Sequence, residues 1–322
     1  MAESEIFEAS IPDEWAGERV DHALARLFPD YSRSRLQSWL KEGQILLDGQ
    51  VWRAKDKVLG GEQVELQVVL SSENHWEAEN IPLNIIFEDE QLIVINKPAG
   101  MVVHPAAGNY SATMLNALLF YAPELEAIPR AGIVHRLDKD TSGLLVVART
   151  LQSQKSLVEQ LQARSFLREY DAIVQGVMTA GGTIEQPIGR HPVNRKRMAV
   201  NPNGKPAITH YRVNERYRLH TRLKVKLETG RTHQIRVHMA HINYPLLGDP
   251  VYGGRFKIPP ASDETFVSIL KKFNRQALHA RHLGLMHPAS NEFIEWDAEV
   301  PGDMKVLENA LRLDLEQNNK NG

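Results

Sequence analysis

Apolar positions recur in more than one register along this chain, and each register predicts a different element. Val20, Ala23, Leu24 and Leu27, and then Leu36, Trp39 and Leu40, recur at helical spacing and predict two short helices. Ile45-Leu46-Leu47-Asp48-Gly49-Gln50-Val51 sets an Asp-Gly turn signal between extended residues, which predicts a tight strand pair. Gly60-Gly61 then precedes the alternating run Gln63 to Leu70, so residues 19–70 read as one compact unit. The polar stretch Ser71 to Asn80 has little periodicity and reads as a linker.

From Ile81 onward the pattern is that of one large mixed-sheet domain. Leu92-Ile93-Val94-Ile95 reads as a buried strand closed by Asn96-Lys97-Pro98. Thr221 to Glu228 alternates strictly, with Leu223, Val225 and Leu227 inward and Arg222, Lys224 and Lys226 outward. Helices are expected at Leu151 to Arg164, with Thr150 as the cap, and at Met304 to Leu315, where Leu307, Leu311 and Leu315 share a face. The fold class is therefore α+β, divided into a small N-terminal α/β domain (1–76, core about 18–70) and a large one (77–322).

Charge refines this picture. With 38 basic and 40 acidic side chains in 322 residues, composition by itself suggests no nucleic-acid partner. The distribution does. Residues 1–18 carry six acids and no Lys or Arg, and residues 292–322 carry eight acids against three bases. Arg190, Arg195, Lys196, Arg197 and Lys205 lie in a stretch without acids, which suits a local phosphate-binding face on a neutral protein. Cysteine is absent, so disulfides, thiolate nucleophiles and cysteine-ligated metals are excluded. The acidic N-terminus has no apolar signal-peptide core and no run of 18 apolar residues occurs, so a cytoplasmic soluble protein is expected.

Candidate chemistry concentrates between two apolar segments, Ile133-Val134 and Leu144-Leu145-Val146-Val147, which read as buried strand ends. The polar run between them would sit on a loop at a sheet edge, where functional groups commonly lie. Taken singly, each residue has an ordinary reading: Asp138 as an acceptor of turn amides, Arg136 as solvated, His135 as a core imidazole. A kinase catalytic loop does not fit, because its Asp follows His-Arg directly and no glycine-rich phosphate loop or Asp-Phe-Gly is present. Asp138-Lys139-Asp140-Thr141 is similar to the signature of Mg-dependent haloacid-dehalogenase-type phosphatases, but His135 and Arg136 interrupt the strand that family requires, and no later acidic pair could hold the metal. His233, His238 and His241 match no standard zinc spacing, so no metal is expected.

His135-Arg136-Leu137-Asp138 with Thr141-Ser142-Gly143-Leu144 resembles the catalytic motif of pseudouridine synthases of the RluA type. Asn96-Lys97-Pro98, Gly230-Arg231-Thr232-His233-Gln234-Ile235-Arg236 and Gly248-Asp249-Pro250-Val251-Tyr252-Gly253 follow in family order, so the resemblance covers about nine tenths of the chain. It implies a synthase fold with a central mixed, mostly antiparallel sheet, an RNA uridine isomerase activity and no cofactor. It also implies roles. Asp138 matches the essential carboxylate, and Tyr170, in Arg168-Glu169-Tyr170-Asp171, matches the tyrosine that stacks on the target base. Arg236 matches the arginine paired with the carboxylate; a guanidinium favours and orients the charged form of a partly buried Asp. Arg136 matches the arginine that fills the place of the extruded base, and Arg195, Lys196, Arg197 and Lys205 would clamp the backbone.

The N-terminal layout resembles the S4 RNA-binding domain through Arg19-Val20-Asp21, Ser32-Arg33-Ser34-Arg35-Leu36 and Gly43-Gln44-Ile45-Leu46-Leu47-Asp48-Gly49. Arg33, Arg35 and Lys41 would then follow a phosphate backbone from one helix. Within the family, this domain together with Phe28 to Arg35 and His104 to Asn109 resembles the members that modify uridines in a large-subunit rRNA hairpin at the subunit interface. The implied partner is 23S rRNA or the assembling large subunit, bound by a monomer, with no membrane and no small-molecule cofactor. A second reading is a non-catalytic S4 protein that binds rRNA during ribosome assembly.

Overall fold

The computed structural model describes residues 4–29, 31, 33–69, 76–105, 109–194 and 197–320. The chain divides into two compact units, Met1–His75 and Trp76–Gly322.

In the N-terminal unit the helical spacing becomes α1 (Val20–Leu27) and α2 (Arg33–Glu42). They pack Val20, Ala23, Leu24, Leu36, Trp39 and Leu40 against Ile45, Leu47, Val64 and Leu66. Each fully buried aliphatic side chain contributes about 1.5–3 kcal/mol of burial free energy. The sheet differs from the expected hairpin. A first strand, β1 (Ser4–Ser10), and a short β2 (Ile45–Leu47) both pair with β3 (Gln63–Val69), giving the order β1-β3-β2. Asp48-Gly49 does turn the chain, but only one bridge, Leu47 with Gln50, closes across it. The apolar alternation of β3 finds its partners at longer range.

The C-terminal unit is built on nine strands: β4 (Ile85–Glu88), β5 (Leu92–Lys97), β6 (Ser142–Ala148), β7 (Leu167–Gln175), β8 (Gly182–Glu185), β11 (Ile208–Arg216), β12 (His220–Leu227), β13 (Leu278–Met286) and β14 (Phe293–Asp297). The order is β4-β5-β6-β13-β7-β12-β11-β8, with β14 on β13. Every pair is antiparallel except β6 with β13. A separate ribbon pairs β9 (Ile188–Arg190) with β10 (Met198–Val200). The helices are α3 (Met114–Tyr121), α4 (Leu151–Gln162), α5 (Gln234–His241), α6 (Glu264–Lys272) and α7 (Gly302–Lys320). Thr150 caps α4 by accepting from Ser153 N at 3.0 Å.

Strand β6 is buried along its whole length, because both of its faces are covered. Leu145 and Val147 join Ile93, Ala172 and Val225 on one side, while Leu144 and Val146 meet Leu157 of α4 and Phe166 on the other. Strand β12 keeps its expected alternation from Leu223 onward, with Leu223 and Val225 buried and Lys224 and Lys226 exposed, whereas Arg222, expected outward, is largely covered because it pairs with Asp171 at 3.3 Å and Glu308 at 3.2 Å. The polar run that ends in Asp138 therefore enters a central strand and not an edge. Ile133 contributes only a single bridge to Val147.

The parallel junction makes a sharp demand at Gly143. A Cβ placed there would lie 2.2 Å from Ala280 O, and φ is +116°. No shift of one side chain relieves a clash with backbone. We expect Gly143→Ala to cost about 3 kcal/mol or more in urea unfolding; a loss below ~0.5 kcal/mol would mean that the β6–β13 junction is not this close.

Candidate active site

The loop from Ile133 to Thr141 joins the sheet end to β6, and its geometry is set by cations that reach it from other elements. Lys97, at the end of β5, is fully buried and donates from Nζ to Pro98 O at 2.8 Å, Met101 O at 3.0 Å and Lys139 O at 2.9 Å. Burial pushes its ammonium down to about 7, while the nearby Asp140 and Asp138 work in the opposite direction. Arg275 donates to Asp140 O at 3.2 Å while held by both carboxylate oxygens of Asp303 in α7. Gln276 donates to Thr141 Oγ1 at 3.0 Å. Three consecutive residues after Asp138 are thus fixed from outside the loop, and Asp138 O accepts from Thr141 N at 3.0 Å.

Asp138 stands half-buried in the wall of a cavity of about 590 Å³. Its Oδ2 accepts from Arg236 Nη1 at 3.0 Å, and His233 Nε2 lies 3.9 Å from Oδ1. Arg236, on α5, is buried and spends its other donors on Asp249: Nε to Oδ2 at 2.7 Å and Nη2 to Oδ1 at 2.9 Å. Burial opposes the charge on this guanidinium, but the two carboxylates outweigh it and raise its pKa. Asp249 is likewise held below its usual range, since Arg236 and the amides of Val251 and Tyr252 outweigh its desolvation. Tyr170 of β7 lines the same cavity, and burial raises its phenol, so it remains a neutral ring. Tyr252 backs two of the lining residues: its hydroxyl meets His233 Nδ1 at 2.9 Å and Arg236 Cζ lies 5.1 Å from its ring. The arrangement can hold a carboxylate in fixed orientation beside an aromatic face in a site large enough for one nucleotide.

The other expected residues divide into several groups. Arg136 is exposed at the cavity, and Lys205 and Lys41 are exposed. Arg33 does not present a free guanidinium: it donates from Nε to Asp21 at 3.0 Å, and Arg19 and Gln37 bind the same fully buried carboxylate. Desolvation raises Asp21, but these donors hold it well below the usual range. Arg197 is also engaged, donating to Val251 O with Cζ 5.0 Å from the Tyr252 ring, so it braces the segment that contacts His233 and Arg236. Arg195, Lys196 and the side chain of Arg35 lie outside the described residues. Asp249 and Tyr252 were given no role by sequence reasoning, although the Gly-Asp-Pro-Val-Tyr-Gly run that contains them was visible. No His/Asp/Glu cluster able to hold a metal occurs among the described residues, and no helix among them is long and apolar enough to cross a membrane.

His135 is half-buried at the cavity, and its ring is engaged in packing and a backbone hydrogen bond. Its Nε2 accepts from Val146 N at 3.1 Å, its ring meets Phe166 edge-on, and burial lowers its pKa to about 3. Between about 3 and 6.5 the unfolded chain binds a proton that the folded ring refuses, so folding stability falls as pH is lowered through that window. We expect His135→Gln to lose less stability than wild type between about pH 7 and pH 4.5, read as urea midpoints; parallel losses would show that this ring does not resist protonation.

A model of the RNA pseudouridylate synthase family matches residues 91–241, and one of the S4 domain matches residues 18–64. The chain is 55% identical over 318 residues to ribosomal large subunit pseudouridine synthase D of Escherichia coli (strain K12), covering 98% of each. It is 56% identical over 308 residues to the protein of that name from Pseudomonas aeruginosa, covering 96% of each. Among solved structures, human RNA pseudouridylate synthase domain containing 4 superposes with a TM-score of 0.56 at 27% identity, over 71% of this chain and 93% of that one. Identity at this level over nearly the whole length leaves one conclusion: the chain belongs to the RNA pseudouridylate synthase family and is an isomerase.

Proposed function

We propose that this enzyme isomerises uridine to pseudouridine at specific positions of 23S rRNA, in the large-subunit hairpin at the subunit interface, acting on free rRNA or on the assembling subunit. The relatives named above carry the large ribosomal subunit in their names, and the S4 domain supplies a second RNA-binding unit. The observation that carries the reading is the bridge from Asp249 through Arg236 to Asp138 in the cavity wall, with Tyr170 lining the same cavity.

The chemistry is redox-neutral. The N1–C1′ bond of uridine breaks, the base turns, C5–C1′ forms, the C5 proton leaves and N1 gains a proton. Nothing in that balance calls for a cofactor. Asp138 is the catalytic carboxylate that meets the ribose and base, Arg236 orients it, and Tyr170 is the platform on which the detached uracil stacks. The target must leave its stack, at a cost of a few kcal/mol, and Arg136 at the cavity fills the vacancy. Lys205 and Lys41 offer exposed charge to the backbone.

Three experiments test this. Purified protein is incubated with unmodified large-subunit rRNA, without metal or nucleotide, and pseudouridine is mapped by carbodiimide-stop sequencing. Stops confined to one hairpin are expected; stops scattered over the rRNA would sink the site-specific reading. Asp138→Asn is expected to bind the same RNA and to yield no product, and product at the wild-type rate would remove Asp138 from the chemistry. Arg236→Lys retains a charge but cannot reach Asp138 and both oxygens of Asp249 together, so release of the C5 proton should slow by about a hundredfold; an unchanged rate would show that the bridge does not orient the carboxylate.

A further inference from the structure

Among the described residues six arginines line the cavity that holds Asp138, and four of them are committed. Arg236 binds two carboxylates, Arg164 lies 3.7 Å from Glu228, Arg168 donates to Glu228 O at 3.0 Å and Arg231 donates to Pro206 O at 3.1 Å. Arg136 and Arg130 are the two for which no carboxylate lies within ion-pair distance and no side-chain hydrogen bond forms among the described residues. Arg136 already has a place in the vacated stack. Arg130 has no assigned role.

Its backbone is unusual. Arg130 (φ 57°, ψ 32°) and Ala131 (φ 50°, ψ 41°) are both left-handed, and Gly132 follows with φ 74°. Two adjacent non-glycine residues in this region persist only when their surroundings over-determine them. Here they do. Gln154 Nε2 donates to Pro129 O at 2.7 Å, Ala131 N to Ile128 O at 2.9 Å and Ile133 N to Arg130 O at 3.1 Å. Gly132 is wedged under β6, where a Cβ would lie 1.9 Å from Ala148 O. The fold thus maintains a strained turn, and the side chain at its apex is a guanidinium at the cavity. Arg130 is exposed to solvent overall, partial desolvation and the neighbouring Arg136 both work against its charge, and no carboxylate among the described residues offsets them.

We infer that Arg130 is an RNA-backbone anchor: the left-handed turn holds its guanidinium at the cavity, where it takes a phosphodiester flanking the extruded uridine. This rests on the reading of the site as a uridine isomerase. A nucleotide that swings out pivots on its two flanking phosphates, which stay at the cavity mouth. A bidentate guanidinium is the side chain suited to hold one there. A partner phosphate also resolves the repulsion between Arg130 and Arg136, since one anion between two cations is attractive to both.

The test uses the full-length protein and the large-subunit hairpin RNA, with affinity measured from about 50 to 300 mM KCl. Arg130→Gln keeps the same backbone demand and loses the charge. It should bind severalfold more weakly, with the log–log salt slope reduced by about 0.7–0.9, while its thermal midpoint holds. Arg130→Lys should restore the slope. A neutral methylphosphonate at one phosphate flanking the target should weaken wild type but not Arg130→Gln further. Arg130→Gly relieves the strained φ, so it should raise the thermal midpoint while weakening binding, a pairing that a purely structural residue does not give. A wild-type slope in Arg130→Gln, or methylphosphonate losses that add in full to it, would overturn the anchor. If wild type neither binds nor modifies the hairpin, the choice of substrate fails. The same salt series on bulk rRNA then decides the anchor, which stands if Arg130→Gln lowers the slope and falls if it does not.

Discussion

One guanidinium organises the C-terminal unit's candidate chemistry. Arg236 contacts Asp138 across 98 residues of sequence and Asp249 across 13, so a distant loop and a nearer one meet at a single planar group. The geometry of that group matters more than its charge. An ammonium would neutralise Asp138 as well, but only a fork can satisfy both oxygens of one carboxylate and still direct a third N–H to another. Asp249 makes the fork rigid, because the Val251 and Tyr252 amides also hold its Oδ1 in place. The carboxylate left partly open to the cavity is the one proposed to meet substrate.

That arrangement depends on a loop with little freedom. The residues after Asp138 accept hydrogen bonds from Lys97, Gly100, Arg275 and Gln276, which belong to elements on both sides of β6. A buried Lys97 is costly, and it is tolerated because three carbonyl oxygens converge on its Nζ. Arg275 extends the same support to α7 through Asp303. The C-terminal helix is in this way mechanically joined to the loop that carries Asp138. Upstream, the left-handed turn at Arg130 and the His135 ring fix the other end of the loop, so its position is determined from both directions.

Positive charge in this protein does two kinds of work, and sequence position does not tell them apart. Arg33 and Arg197 look like phosphate contacts in a linear reading, since each stands in a basic stretch. In the fold Arg33 neutralises a buried aspartate and Arg197 braces Tyr252. Arg130, which attracts no notice in a charge count, has no carboxylate partner among the described residues. Whether a guanidinium is available for RNA depends on which carboxylate or carbonyl comes within reach once the chain has closed.

Local elements and chemistry-bearing segments are legible along the chain. The spacing of Val20 to Leu40 produced the two helices of the N-terminal unit, the alternation through Leu223, Val225 and Leu227 produced β12 with its wet face, and Thr150 capped α4 where expected. These follow from periodicity and side-chain hydrogen bonding within a few residues, which are local properties. The motif order around Asp138, Tyr170 and Arg236 also named three residues that the fold brings to one cavity. Long-range contacts settle that β6 is central, that β2 takes β3 as its strand partner with a single bridge across its own turn, and that Asp249 completes the bridge to Arg236. Strand order and ion-pair partners are set by contacts between segments far apart in sequence, and the energies that select them depend on burial, which exists only once the sheet has closed.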